Sequence, residues 1–176
     1  GCVMLSEGIP AIIIENSAKM VGMPVGPLEV LDQTSLSLSY DVIKQTKIDL
    51  ETEGGRYQQK PGEEVIIEMV EKFNRKGRSA GTGFYEYQKD GSKNLWGGLK
   101  DNFGQENINY DFEELKDRFL IRQSLETARC LEEGVLANVC DGNIGSIYGI
   151  GFPSWTGGAL QYINYVGSKK YLEKAL

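Results

Sequence analysis

Apolar residues recur with helical spacing along most of the chain, and short glycine- and proline-rich segments separate these stretches. Within "GEEVIIEMVEKF", the positions i, i+3, i+4 and i+7 hold Ile66, Met69, Val70 and Phe73, which predicts an amphipathic helix. Further helices are predicted over residues 10–21, 28 to about 45, 111–134 and 136–147, and from about residue 159 onward. We therefore expect an all-α fold.

Two long polar or glycine-bearing segments interrupt this pattern. "KIDLETEGGRYQQKP" is predicted to be a loop. "NRKGRSAGTGFYEYQKDGSKNLWGGL" combines glycines with aromatic residues and is predicted to be a long connecting segment. Its Asp90-Gly91 pair is typical of a tight hairpin turn, so a brief extended pairing is expected there.

One arrangement of motifs occurs twice. Residues 6–35 run in the order helix end, Glu-Gly, helix, Gly-x-Pro corner and helix, and residues 132–167 repeat this order. Gly22-Met23-Pro24 matches Gly151-Phe152-Pro153, and the segment from Gly26 matches the one from Gly158. We interpret the pattern as one helical unit used twice, with "GIGFPSWTGG" as the corner of the second copy.

The charge balance bears on the class of partner. The formal net charge of −6 disfavours a nucleic-acid-binding protein, which needs a concentrated basic face. The cations of "EKFNRKGRS" either complement the end of a helix or hold one anionic group. No apolar run has the length of a membrane span, and no signal peptide is evident, so the chain is predicted to be cytoplasmic.

The composition also limits the chemistry. The chain contains no histidine, which excludes Ser-His and Cys-His machinery from this polypeptide. Its three cysteines, Cys2, Cys130 and Cys140, form no CxxC motif, and we interpret them as small buried thiols rather than reactive or metal-binding groups. No metal site is expected.

Four segments point to a known family. "GMPVGPLEVLD", "RKGRSAGTGFYEY", "RQSLETARCLEEGV" and "GSIYGIGFPSWTGG" occur in this order and together cover nearly the whole chain. They resemble the C-terminal part of 3-hydroxyacyl-CoA dehydrogenase as found in multifunctional fatty-acid β-oxidation enzymes. The resemblance implies two related all-helical units of the 6-phosphogluconate dehydrogenase C-terminal-like type, residues 1–90 and 91–176.

The resemblance also implies what lies elsewhere. In the family a preceding Rossmann domain holds NAD and the catalytic His-Glu pair, so no cofactor and no catalytic residue are expected in this chain. The family's first helix here carries an Asn-Arg pair, and Asp117-Arg118 falls near the equivalent position of the second copy. We assign Asp117 no catalytic role, and we expect the chain to be a fragment truncated at both ends.

Two functions follow as hypotheses. In the first, the chain closes one wall of the acyl-CoA cleft of the parent dehydrogenase, with Pro24, Gly26, Pro27 and Leu28 as candidate substrate-binding residues or simply as a packed helix corner. A weaker idea assigns CoA phosphates to Lys76 and Arg78.

The second hypothesis is a non-catalytic subunit-interaction module that self-associates or dimerises. It rests on the large rings near the second corner, which are typical either of interface anchors or of a core. These rings are Tyr148, Phe152, Trp155 and Tyr162.

Overall fold

The computed structural model describes residues 1–105 and 108–175. The helices are α1 (Cys2–Ser6), α2 (Ala11–Met20), α3 (Pro27–Thr34), α4 (Leu36–Thr52), α5 (Glu63–Glu71), α6 (Gly98–Phe103), α7 (Phe112–Glu132), α8 (Val139–Ile150), α9 (Ala159–Val166) and α10 (Ser168–Ala175). Two short strands, β1 (Tyr85–Tyr87) and β2 (Lys93–Leu95), form an antiparallel hairpin. The prediction of an all-α fold with one brief extended pairing is confirmed.

The chain divides into two compact units. Unit 1 comprises Gly1–Asn16 and Val25–Asn109, and unit 2 comprises Ser17–Pro24 and Tyr110–Leu176. Helix α2 therefore contributes its first residues to unit 1 and its last residues to unit 2. The boundary at residue 90, which concerns the two related helical units, stays a prediction.

Unit 1 packs around side chains from its helices and from the segment before the hairpin. Its fully buried apolar residues include Leu5, Ile14, Leu28, Met69 and Phe84. The hairpin pairs Tyr85 with Leu95 and Tyr87 with Lys93, and Asp90-Gly91 lies in the turn as predicted. Gly91 has a φ of 86°, which glycine adopts without a steric cost.

Unit 2 packs α7, α9 and α10 around an aromatic core. This core joins Val21 of the α2–α3 connection to Leu120, Phe152, Tyr162 and Tyr171. Phe152 and Tyr171 both meet Tyr162 edge to face, with ring centroids 6.2 and 6.4 Å apart, a favoured geometry for aromatic pairs.

The helix end that opens each copy of the predicted repeat has the same local geometry. Gly8 and Gly134, which follow α1 and α7, have φ values of 91° and 73°. The next amide donates to the carbonyl five residues earlier in each case, Ile9 to Met4 and Val135 to Cys130. Both helices therefore end in the left-handed glycine motif that satisfies terminal carbonyl groups.

The prediction of one continuous helix over residues 28–45 is wrong. The structure contains two helices, because Ser35 adopts a φ of 78° between α3 and α4. At this break the amide of Leu36 and the hydroxyl of Ser35 both donate to the carbonyl of Lys76, at 3.1 and 3.2 Å. Helix α4 then continues to Thr52, into the segment predicted as loop, and Gly167 separates the predicted last helix into α9 and α10.

We expect the Gly158→Ala substitution to destabilise the protein by about 2–4 kcal/mol. Gly158 has a φ of 115°, and an added Cβ would lie 2.5 Å from the Cα of Asn143. Gly145→Ala is the matched control, since Gly145 lies inside α8 with open space around it and alanine favours a helix by up to about 1 kcal/mol. Urea unfolding of both variants measures the difference, and equal stabilities would contradict the expectation.

Candidate functional site

The four candidate substrate residues lie at the corner between α2 and α3, with different accessibilities. Pro24 is exposed and belongs to unit 2, whereas Gly26, Pro27 and Leu28 belong to unit 1. Leu28 is fully buried and Gly26 is buried, while Pro27 is partly exposed. Pro24 and Pro27 are therefore at least partly accessible to solvent, and Leu28 belongs to the core of unit 1.

A buried carboxylate fixes this corner. Glu15 of α2, which is 1% exposed, accepts the Leu28 amide at the start of α3 at 2.8 Å. Its other oxygen accepts the Tyr85 hydroxyl at 2.6 Å. A Cβ at Gly26 would lie 2.2 Å from that oxygen, so the glycine of "PVGP" leaves the space that the carboxylate fills.

A second buried carboxylate positions the hairpin in the same way. Asp32 of α3, also 1% exposed, accepts the amides of Phe84 and Tyr85, each at 2.8 Å, and the Tyr87 hydroxyl at 3.1 Å. A Cβ at Gly83 would lie 1.9 Å from an Asp32 oxygen. The glycine before "FYEY" is therefore required by packing against Asp32.

The basic segment before the hairpin contributes a buried arginine, which the sequence analysis did not single out. Arg75 donates to the carbonyls of Gly83 and Tyr85 at 2.6 and 3.2 Å, and its guanidinium lies 4.4 Å from the Trp96 ring centre. An ion pair with Glu86 at 3.6 Å completes its partners. These four partners of Arg75 cannot be inferred from local spacing, because they come from the hairpin and the residues beside it.

The two cations that follow Arg75 in the sequence are not buried. Lys76 and Arg78 are exposed, and the Arg78 guanidinium lies 5.9 Å from the centre of the Tyr87 ring. Their assignment to CoA phosphates stays a prediction.

The electrostatics of this cluster indicate that its carboxylates have a structural role. Burial raises the pKa of Asp32, although the amide hydrogen bonds from Tyr85 and Phe84 oppose that shift. Burial also raises the pKa of the Tyr85 and Tyr87 phenols, and their carboxylate partners, Glu15 and Asp32, add to it. Because protein donors occupy both carboxylates and both are buried, neither can abstract a proton from a substrate in this arrangement.

The second corner uses a neutral cap where the first uses a carboxylate. Asn143 of α8 accepts the amides of Leu160 and Gln161 at 3.0 and 2.9 Å, at the start of α9. Ser146 accepts the Ala159 amide at 3.0 Å. In the first copy the residue matching Ala159 is Pro27, which has no amide hydrogen to satisfy.

The large rings around the second corner divide between core and surface. Phe152 and Tyr162 are buried, whereas Trp155 is 58% and Tyr148 is 86% exposed. The Trp155 indole donates to the Val21 carbonyl at 2.6 Å, so this ring is held although much of it is exposed. The core interpretation holds for Phe152 and Tyr162, and the interface role of Trp155 and Tyr148 stays a prediction.

The three cysteines are free thiols, which agrees with their interpretation as thiols rather than metal ligands or disulfides. Cys140 is exposed, so the expectation of buried thiols is wrong for it, and Cys2 and Cys130 are partly exposed. Burial of its sulfur raises the pKa of Cys2 to about 11, which makes that thiol unreactive near neutral pH. Among residues 1–105 and 108–175 no helix is both long and apolar enough to pass through a bilayer.

The comparison with protein families bears directly on the first corner and the buried carboxylates. A family model described as "3-hydroxyacyl-CoA dehydrogenase, C-terminal domain" matches residues 1–87. Residues 1–87 are thus similar to this dehydrogenase C-terminal domain family. The matched segment contains Glu15, Asp32 and Arg75 and ends at the last residue of β1.

Relatives extend the likeness to the rest of the chain. The fatty acid oxidation complex subunit alpha of Shewanella loihica is 33% identical over 97% of this chain, and that of Vibrio cholerae is also 33% identical over 97%. The chain spans 23% of the length of each of these curated relatives. The dehydrogenase part of multifunctional enzyme 1 from C. elegans shares 25% identity over 71% of this chain and 27% of that one, with a TM-score of 0.49.

Within the matched segment, we expect Asp32→Ala to destabilise the protein by about 3–5 kcal/mol. The substitution leaves the buried amides of Phe84 and Tyr85 without an acceptor, and each such loss costs about 1–3 kcal/mol. Urea unfolding followed by circular dichroism measures the change.

Asp41→Ala provides the matched control, because Asp41 is exposed on α4 and its loss should change stability by no more than about 0.5 kcal/mol. A loss below about 1 kcal/mol for the Asp32 variant would show that the hairpin does not depend on this carboxylate.

Proposed function

We propose that this chain is the substrate-cleft and dimerisation region of an NAD-dependent 3-hydroxyacyl-CoA dehydrogenase of fatty-acid β-oxidation. The parent protein would oxidise 3-hydroxyacyl-CoA to 3-oxoacyl-CoA with NAD. The family match over residues 1–87 carries this proposal, and the similarity to fatty acid oxidation complex alpha subunits supports it. The cytoplasmic location belongs to the same proposal.

In this proposal the chain shapes the acyl-CoA cleft and does not perform the chemistry. The candidate residues Pro24 and Pro27 are accessible to solvent, while the hydrogen bond from the Leu28 amide to Glu15 holds the start of α3 in place. Each of these prolines has a fixed backbone φ angle, so it needs little ordering when a substrate binds. The acyl-CoA substrate is thus a partner of the parent protein.

The residues of this chain do not fit NAD. Dinucleotide sites use a glycine-rich turn between a parallel strand and a helix. The strands among the described residues are three residues long and form an antiparallel hairpin. The hydride acceptor and the histidine base are therefore assigned to other parts of the parent protein.

This division of labour predicts that the chain alone shows no turnover of acetoacetyl-CoA with NADH. It contains no histidine, and its buried carboxylates are occupied by protein donors. Loss of NADH absorbance is the measurement, and joining the chain to the nucleotide-binding part of a homologous alpha subunit is the positive control. Turnover by the chain alone would overturn the assignment of the chemistry.

The cleft role has a separate readout in the same preparation. Titration with a fatty acyl-CoA should shift the NMR signals of Met23 and Val25, which flank Pro24, and leave those of the Asp90 turn unchanged. Signals that stay constant at the first corner would contradict the cleft role while leaving the family assignment intact.

A subunit-interaction module is the second candidate function, and the surface of α8 favours it. Ile144 and Tyr148 stand at i and i+4 on this helix, and both are exposed. Val139 and Ile150 are exposed apolar residues of the same helix. Large apolar side chains of this kind are typical of interfaces between copies or subunits.

We therefore expect light scattering to show a dimer or larger species at high protein concentration. The combined Ile144→Glu and Tyr148→Glu variant should weaken that association at least about tenfold, because it places charges in the apolar contact. Val42→Glu, at an exposed site on α4, is the control and should leave association unchanged. A monomer at all concentrations would remove this second function.

A further inference from the structure

Unit 2 contains a surface pocket that neither proposed function uses. Its volume is about 500 Å³, within the usual range for small-molecule sites. It is lined by side chains of α7, α9 and α10, together with Met20, Val21 and Trp155. We call it the unit 2 pocket.

Three aromatic rings form part of its wall. The Trp155 ring meets the Tyr162 and Tyr165 rings at 90° and 83°, with centroids 6.4 and 6.1 Å apart. Tyr165 is 72% and Met20 is 65% exposed, so large apolar and polarisable side chains are accessible at a concave surface. Such surroundings suit the edge or face of a flat aromatic ligand.

The central ring is already ordered before any ligand binds. The Trp155 indole donates to the Val21 carbonyl at 2.6 Å, and Val21 is itself buried in the core of unit 2. A ring held in this way loses little conformational freedom on binding, which lowers the cost of recognition.

The charges of the pocket favour an anion. Lys116 pairs with Glu113 at 2.6 Å, and Lys174 pairs with Asp117, which also accepts the Tyr162 hydroxyl at 3.4 Å. Within the part of the chain that the structure describes, Lys170 has no carboxylate partner. Three ammonium groups and two carboxylates line the pocket, so one positive charge is left over.

We propose that the unit 2 pocket binds a small aromatic carboxylate, with its ring against Trp155 and Tyr165 and its carboxylate paired with Lys170. The ammonium group of Lys170 supplies the positive charge that pairs with the ligand's carboxylate. The aromatic wall supplies the contact area. A cationic aromatic ligand of the same shape is disfavoured, since it would meet the unpaired lysine. This site is independent of the proposed dehydrogenase function.

Two probes of matched shape and opposite charge test this. 2-Naphthoate and 2-naphthylmethylammonium are each titrated into the isotope-labelled chain, and the indole N–H signals of its two tryptophans are followed by NMR. We expect 2-naphthoate to shift the Trp155 signal saturably, with Trp96 of unit 1 as the unchanged internal reference. The cationic probe should bind at least about tenfold more weakly.

Paired variants locate the contacts. Lys170→Ala should weaken 2-naphthoate binding about fivefold, whereas Lys169→Ala, its exposed neighbour outside the pocket lining, should not. Tyr165→Ala should also weaken binding, with the exposed Tyr148→Ala as its control. All four positions are exposed, and thermal midpoints confirm folding.

Three results would overturn the proposal. They are an unshifted Trp155 signal at saturating 2-naphthoate, equal binding of the two probes, and equal affinities for the Lys170 and Lys169 variants. Tighter binding of the cationic probe would instead assign the aromatic wall to a cation.

Discussion

The packing of unit 1 depends on two buried carboxylates whose oxygens must all find donors. Glu15 accepts hydrogen bonds from the first amide available in α3 and from the Tyr85 hydroxyl. Asp32 accepts hydrogen bonds from two amides and one hydroxyl of the hairpin region. A carboxylate left unpaired away from water would be strongly destabilising, so each bond constrains an element that is distant in sequence. Gly26 and Gly83 follow from the same constraint, because a Cβ at either position would overlap a carboxylate.

The two copies of the repeat meet one geometric requirement with different chemistry. In both, a side chain of the helix before the corner caps the helix after it, through Glu15 in the first copy and Asn143 in the second. The first cap also reaches a tyrosine of the hairpin, which gives its carboxylate a second donor. In the second copy the cap is the neutral side-chain amide of Asn143, which has no charge that requires an additional donor. The duplicated corner is thus an architectural element, and the chemical function of the parent enzyme is proposed to reside outside it.

The sequence predicted features that depend on neighbouring residues better than features that depend on residues distant in the chain. The helical spacing around Met69 and the Asp90-Gly91 turn both follow from neighbouring residues, and each prediction is confirmed. The break at Ser35 was missed because the carbonyl of Lys76, distant in sequence, takes the hydrogen bonds that end α3 and begin α4. Arg75 and the unit 2 pocket were missed for the same reason. Among the candidate site residues, Leu28 proved to be buried, whereas Pro24 and Pro27 remain accessible.

The sequence by itself determined the helical class, the doubled corner and the absence of histidine chemistry, because periodicity, glycine and proline placement, and composition are local properties of the chain. Tertiary structure alone decided which polar groups are buried together, since Glu15, Asp32 and Arg75 acquire their roles from partners brought near by folding. It also decided which aromatic rings stay accessible: Tyr162 lies in a core while Trp155 and Tyr165 remain exposed beside it. Burial is a property of the packed unit, and a side chain's type does not fix it.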